Sequence, residues 1–486
     1  MPRGASGLLA LQIGARLGTF VLNQVLVRTA SPAVFGAANV QLELVLSTVL
    51  ALSREGTRAV MLRRQDALRR GDPMLHNLAL VPVWIGSVLS VVVGWAYVAY
   101  LAPAALWAQS GVAVPVSVAL YGLGAWLELW AEPLHTCALG LDAYVSIRVA
   151  MEAGGLAAKA VVTAVLLQPA CLAAMQRCVA AYVALSPAAC ALLAFAWGRV
   201  AYGAMVLLVG AVRLRGHARR WWWPTRAAAV WGDAPTRALL RVTTGQAALK
   251  LVLTEGEKLA AARMTSLEEQ GAYALASNYG SLVARMLFQP LEESVRLRLS
   301  QGDEAATWMS TLLRLHVLFG TGLVALAPPV AAPFLRLVAG PAWAHAAPIL
   351  GMYCWYVPVL GVNGVVEAFV QSVAPARVLR VYSYVLIASS AVMVGVLASP
   401  VAEARMVVAN IASLSVRALA SSAYVGYVSR RLWDGLLPHG WVWGVLVACG
   451  AIVRAYPAWW GVCAAACVAA VVVGERRALA QALWML

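Results

Sequence analysis

Ionisable and polar side chains recur at three- and four-residue spacing inside the apolar runs of this chain. A charge at the centre of a bilayer costs several kcal/mol unless it meets protein or water, so such residues are candidates for function. Gln12, Arg16, Thr19 and Asn23 share one helical face; so do Asn278, Ser281, Arg285, Gln289 and Glu292, and so do Asn410, Ser413, Arg417, Ser421 and Tyr424. Further sets are Asn39, Glu43, Arg54, Glu55 and Arg58; Gln246, Lys250, Thr254, Glu255, Glu257 and Lys258; Glu128, Glu132 and His135; Arg148, Glu152 and Lys159; and Asn363, Glu367 and Gln371. Any one of these can be an interhelical ion pair, Glu152 with Lys159 for example. The set as a whole is hard to satisfy that way and predicts a common wet cavity. Lysine is confined to positions 159, 250 and 258, so arginine is the main cation, and its planar fork matches phosphate oxygens. The cavity is expected to prefer an anionic headgroup.

Other chemistries lack their residues. No G-x-x-x-x-G-K-[ST] or H-E-x-x-H occurs, and the six histidines are scattered, each read as a packing or interfacial residue. The eight cysteines lie in or beside apolar runs without a C-x-x-C pair; the closest two, Cys463 and Cys467, have no histidine or carboxylate beside them to complete a metal site. Glu292 and Glu293 have the composition of an acid and base pair, yet they adjoin Pro290 at a helix end among arginines, which favours charge pairing. The expectation is a protein without catalysis, cofactor or metal.

The elements that must position these residues are membrane spans. Of 486 residues, 62% are apolar and 12% charged, far from the composition of a soluble domain, and the formal net charge is +16. A spanning helix needs about 20 apolar residues, and the chain supplies about fourteen such stretches. They run near 6–28, 33–53, 75–101, 112–138, 143–168, 188–212, 238–262, 270–298, 307–330, 344–373, 376–398, 401–428, 437–455 and 458–475. Residues 169–190, with Pro169 and Pro187, are a fifteenth span, a helix extension or an interfacial segment. Arginine clusters fall on alternate connections, among them 54–70 and 213–237, while the opposite side carries singletons such as Arg28, Arg177 and Arg405. The positive-inside rule then places both termini in the cytosol, and only an even number of spans keeps the pattern. Arg16 interrupts the first apolar stretch where a signal peptide needs continuity, so that stretch is read as a retained span. The triplet Trp221, Trp222 and Trp223 beside Arg219 and Arg220 suits an interfacial aromatic belt.

An offset of 239 residues superposes Asn39 on Asn278, Gly122 on Gly361 and Glu128 on Glu367, and aligns spans 1–6 with spans 7–12. An even number of spans per repeat gives parallel repeats, the plan of a two-lobed alternating-access transporter. The expected organisation is an N-terminal lobe over 1–212, a basic cytosolic loop over 213–237, a C-terminal lobe over 238–430 and two appended spans over 431–486.

Several segments resemble the Rft family, endoplasmic-reticulum proteins linked to translocation of dolichol-linked oligosaccharide. The resemblance is carried by Leu253-Thr-Glu-Gly-Glu-Lys258 and by Asn278-Tyr-Gly-Ser-Leu-Val-Ala-Arg-Met-Leu-Phe-Gln-Pro-Leu-Glu-Glu-Ser294. Supporting segments are Leu17-Gly-Thr-Phe-Val-Leu-Asn23 with Arg28, Ser53-Arg-Glu55, Ala131-Glu-Pro133, Val362-Asn-Gly-Val-Val-Glu367, and Ala409-Asn410 with Arg417. Residues 169–190 and the alanine-rich C-terminal spans depart from the family pattern. The resemblance implies an all-α polytopic membrane protein of the multidrug/oligosaccharidyl-lipid/polysaccharide exporter superfamily, with twelve core helices in two lobes and two more appended. It further implies delivery of a dolichol-pyrophosphate heptasaccharide, five mannoses and two N-acetylglucosamines, to the lumenal leaflet for protein N-glycosylation. On that reading Arg16, Arg28, Arg54, Arg58, Arg285 and Arg417 face the pyrophosphate, and Glu55, Glu255, Glu257, Glu292 and Glu293 pair with them when the cavity is empty. Asn23, Asn278, Gln289, Asn363, Glu367 and Asn410 line the cavity. The partners are the oligosaccharide lipid and bilayer lipid, with no nucleic acid and a monomeric state. The rivals are a non-transporting accessory protein of the same pathway and a cation-coupled exporter of the same superfamily.

Overall fold

The structure is a computed structural model, and it describes residues 24–141, 144–179, 185–225, 234–283, 305–399, 404–428, 438–476 and 478–480. The described residues form helices and connecting turns without a strand. Ten of the helices are long and apolar enough to cross a membrane. They coincide with the second to sixth, ninth to twelfth and last of the stretches expected from the sequence.

We number the helices in chain order. In the first half these are α1 (Pro32–Arg63), α2 (Pro73–Leu101), α3 (Ala113–Leu139), α4 (Tyr144–Leu166), α5 (Pro169–Val179), α6 (Pro187–Arg213), α7 (Arg215–Trp221) and α8 (Ala234–Met264). They are followed by α9 (Leu267–Val283), α10 (Ala305–Leu326), α11 (Ala347–Val373), α12 (Ala376–Ala398), α13 (Arg405–Val428), α14 (Gly440–Ala455) and α15 (Trp460–Gly474). The chain divides into two compact units, Met1–Gly271 and Ala272–Leu486.

Starts and stops follow local chemistry. Ser31 caps α1 by accepting the Val34 N–H, Asp72 caps α2 by accepting that of Met74, and Ser186 caps α6 by accepting that of Ala189, each just before a proline. The α5 segment has 11 residues, about 16 Å of helix, which is too short for the roughly 30 Å hydrocarbon core. Residues 169–179 therefore do not form a further span.

In the first unit α6 packs along α3 and α4, α2 along α1 and α3, and α8 along α1. Glycine lets α3 and α6 approach backbone to backbone: a Cβ on Gly203 would lie 2.4 Å from the Gly124 carbonyl oxygen, and one on Gly124 would lie 2.9 Å from that of Arg199. The α8 helix is 31 residues long but carries too many charges to rank among the apolar spans. It is held to α1 by Thr243, whose hydroxyl donates to the Gly56 carbonyl at 3.1 Å. In the second unit α11 packs against α10 and α13, α12 against α13, and the hairpin of α14 and α15 against α10.

The tryptophan triplet is anchored by named partners. Trp221 and Trp222 are half-buried among Leu214, Leu68 and their neighbours, and only Trp223 is strongly exposed. His76 stacks on Trp221 with centroids 4.6 Å apart, and Trp222 Nε1 donates to the Trp130 carbonyl. Asn77 exchanges two hydrogen bonds with the Thr225 backbone, at 2.9 and 2.7 Å. Polar partners on α2 and α3 hold most of the triplet against the helix ends.

Candidate functional site

The densest charge cluster lies in the first unit and is built by two helices in matched register. Arg54 and Arg58 sit one turn apart on α1; Glu128 and Glu132 sit one turn apart on α3. Arg54 Nη1 donates to Glu128 Oε1 at 2.6 Å and to Glu132 Oε1 at 3.3 Å. Arg58 makes a two-pronged contact with Glu132, Nε to Oε2 at 2.9 Å and Nη2 to Oε1 at 2.5 Å. A break in α3 at Ala131, followed by Pro133, places Glu132 at the start of a new helical turn. The same pairing explains why α1 continues as helix to Arg63, ten residues past the expected end of the apolar run: its charged terminus has carboxylates to meet.

A third cation enters from α6. Arg199 pairs with Glu128, lies over the Tyr202 ring at 4.2 Å, and is only 6% exposed. Arg199 was not singled out in the sequence, although an arginine in the middle of a membrane-length helix whose other charge is the terminal Arg213 is itself a signal that a carboxylate awaits it. His135 lies one turn beyond Glu132; it is buried, and its Nδ1 has no hydrogen-bond partner among the described residues. The cluster sets three guanidiniums against two carboxylates, an excess of one positive charge. The Nε groups of Arg54 and Arg199 are buried N–H donors without an acceptor among the described residues. Such an arrangement favours an oxygen anion and disfavours a cation.

The second unit carries a counterpart. Arg417 on α13 donates from Nη2 to both oxygens of Glu367 on α11, at 2.9 and 2.7 Å, and Asn363 Nδ2 donates to the same carboxylate at 2.9 Å. Glu128 and Glu367 are the positions superposed by the 239-residue offset. Each meets an arginine, Arg199 on α6 in the first unit and Arg417 on α13 in the second. The intervals to the arginine differ, 71 residues in the first unit against 50 in the second, because the first interval also holds α5. Arg417 is more open, its side chain 30% exposed.

The remaining expected site residues distribute as follows. Among the described residues Glu255 accepts from Lys258 at 2.7 Å and from the Ser47 hydroxyl at 2.8 Å. Glu55 and Arg28 are exposed, Asn278 is half-buried, and Asn410 donates to the Met406 carbonyl at 2.7 Å and to the Tyr273 hydroxyl at 3.3 Å. Glu152 pairs with Arg148 one turn away and not with Lys159. Arg16, Asn23, Arg285, Gln289, Glu292 and Glu293, and the side chain of Glu257, lie outside the described residues. Among the described residues no group of histidine, cysteine and carboxylate side chains could hold a metal ion.

Comparison with known proteins decides the lineage. A family model described as Rft protein matches residues 1–484. The chain belongs to the Rft family. It is 29% identical over 470 residues to the Man(5)GlcNAc(2)-PP-dolichol translocation protein RFT1 of Eremothecium gossypii, covering 89% of this chain and 83% of that one. It is 28% identical over 471 residues to the protein of the same name from Mus musculus, covering 88% and 82%. Among solved structures it is similar to the lipid II flippase MurJ in an inward closed conformation, with a TM-score of 0.62 at 9% identity, covering 98% of this chain and 99% of that one. At that identity the likeness establishes the fold alone, that of an all-α polytopic membrane protein.

Proposed function

We propose that this Rft-family chain translocates the dolichol-pyrophosphate-linked heptasaccharide from the cytosolic to the lumenal leaflet of the endoplasmic reticulum membrane for protein N-glycosylation. The observation that carries the reading is the match to the Rft family over residues 1–484, with relatives named for translocating that lipid. The charge inventory supports it. Arg54, Arg58 and Arg417 offer guanidinium donors in membrane helices, and Glu128, Glu132 and Glu367 occupy them while no anion is present. A pyrophosphate competes for the same N–H groups, and the exchange biases one conformation over another to the extent that it is bound better there. Arg16, Arg28 and Arg285 are assigned the same role.

In this reading both termini are cytosolic, spans 1–6 and 7–12 form the two lobes, and the protein performs no covalent chemistry. Transport needs no coupling ion if lumenal consumption of the lipid keeps the gradient downhill. A cation-coupled exporter fits less well, because Glu128, Glu132 and Glu367 are already neutralised by arginine.

Ligand protection tests the proposal. The pyrophosphate-linked oligosaccharide lipid should raise the thermal midpoint of purified protein, and charge reversal Arg417→Glu should remove that effect in protein that still folds. Protection by lipophilic organic cations, with none by the anionic lipid, would sink the reading.

A further inference from the structure

Above the arginine cluster, the first unit holds a second polar centre that the ion pairs do not absorb. Glu43 lies on α1, 11 residues before Arg54, which separates them by about 16 Å along the helix. Lys159 lies on α4. Both are half-buried inside membrane-spanning helices, and among the described residues no hydrogen bond or salt bridge is made by the Glu43 carboxylate or the Lys159 ammonium. The two flank the same helix, since α6 packs on α4 and on residues 37–42 of α1, just before Glu43, and they are within electrostatic reach of one another and of Arg199.

Backbone contacts fix the surroundings. A Cβ on Gly198 would meet the Lys159 carbonyl oxygen at 3.0 Å, so α6 touches α4 one residue before Arg199. Tyr121 on α3 donates its hydroxyl to the Ala38 carbonyl of α1 at 3.1 Å. One turn along α1 from Glu43, the Ser47 hydroxyl donates to Glu255, which is held in turn by Lys258.

A carboxylate and an ammonium at membrane depth that fail to bond each other are expensive unless something polar lies between them. A cation is disfavoured by Lys159 and Arg199, and an anion by Glu43. The ligand that satisfies both is neutral and carries donors and acceptors side by side, as vicinal hydroxyls do: one hydroxyl donates to the carboxylate while its neighbour accepts from the ammonium.

We propose that Glu43 and Lys159 form a carbohydrate subsite that recognises the neutral sugar hydroxyls of the transported headgroup, apart from the arginines that take its phosphates. Ser47 and Glu255 extend the same wall by one turn. The assignment rests on the translocation reading above.

The test uses purified full-length protein in lipid nanodiscs and two separate probes: the free neutral heptasaccharide of five mannoses and two N-acetylglucosamines, and inorganic pyrophosphate. The wild type should bind both, read as a rise in thermal midpoint. Glu43→Gln and Lys159→Met should each weaken glycan binding at least about tenfold and leave the pyrophosphate response within about twofold. Glycan binding equal to wild type in both variants overturns the subsite, as does a wild type that binds pyrophosphate and not glycan. A wild type that binds neither probe removes the translocation reading, and this proposal with it. A measurement on the wild type alone guards against variants that fail to fold. Carbodiimide labelling of Glu43 should fall when the free glycan is added, and unchanged labelling overturns the proposal.

Discussion

Replacing Glu128 by alanine would strand the Arg199 guanidinium inside the first unit, and the structure sets the scale of the damage. Arg199 and Glu128 are each 6% exposed, and the Arg54 side chain is 15% exposed. Breaking a buried pair from one side leaves an uncompensated charge and costs about 3–5 kcal/mol. Arg54 keeps its 3.3 Å contact with Glu132, so the loss centres on Arg199. At roughly 2 °C per kcal/mol for a unit of this size, the thermal midpoint should fall by about 6–10 °C. The same truncation elsewhere gives a graded control. Glu367→Ala faces Arg417, whose 30% exposure lets water share the charge, and should cost about 1–2 kcal/mol. Glu152→Ala breaks a pair whose side chains are 45% and 47% exposed and should cost about 0.3–0.5 kcal/mol. The assay is scanning fluorimetry or size-exclusion survival after heating, on protein purified in one detergent. The double replacement Glu128→Leu with Arg199→Leu should recover most of the loss, because both charges leave together. Equal midpoint shifts for Glu128→Ala and Glu152→Ala would refute the claim that this cluster is desolvated.

Other consequences follow from local geometry. Gly203→Val should abolish folding of the first unit, read as loss of the monodisperse peak, because any β-carbon there overlaps the Gly124 carbonyl. The hairpin of α14 and α15 is tied to α10 by Glu475, which accepts from Arg314 at 3.0 Å and from the His439 backbone N–H at 2.9 Å. Burial pushes the Glu475 carboxyl up, but the Arg314 and His439 hydrogen bonds outweigh it and hold the group below the usual carboxylate range. A depressed folded value means that the tie is fully present at neutral pH and is lost as pH falls through that value; hairpin protection in hydrogen exchange should drop only in acid, and Glu475→Gln should remove the dependence. Gln270→Leu should cost about 1–3 kcal/mol by leaving Gln41 Nε2, now 2.9 Å from Gln270 Oε1, one acceptor short, measurable in the same thermal assay.

How far the sequence spoke depends on what each feature rests on. Spans are written in uninterrupted apolar runs ended by proline, glycine and charge, so α2, α3 and α6 appear within a few residues of their expected limits. The continuation of α1 to Arg63 was not legible, because helix past the apolar run is sustained by carboxylates on another helix. The importance of Glu128 and Glu367 was visible in the 239-residue offset, while their arginine partners were not, since α5 makes the two intervals unequal. Arg199 stands alone in a run of alanine, glycine and valine and belongs to no stripe; only the cost of burying it marks it. Which carboxylates meet Arg54 and Arg58 was not legible either, because it is one turn of offset on a neighbouring helix that selects Glu128 and Glu132.

Translocation by this chain alone, as proposed, can be measured directly. Purified protein reconstituted into vesicles, with the pyrophosphate-linked heptasaccharide lipid and no other protein, measures it directly through exposure of the headgroup to an impermeant glycan-processing enzyme. Headgroup on the inner leaflet should become accessible faster than in protein-free vesicles, and Arg417→Glu should abolish the gain. A rate equal to that of protein-free vesicles, from protein that binds the lipid, would contradict translocation and leave an accessory role.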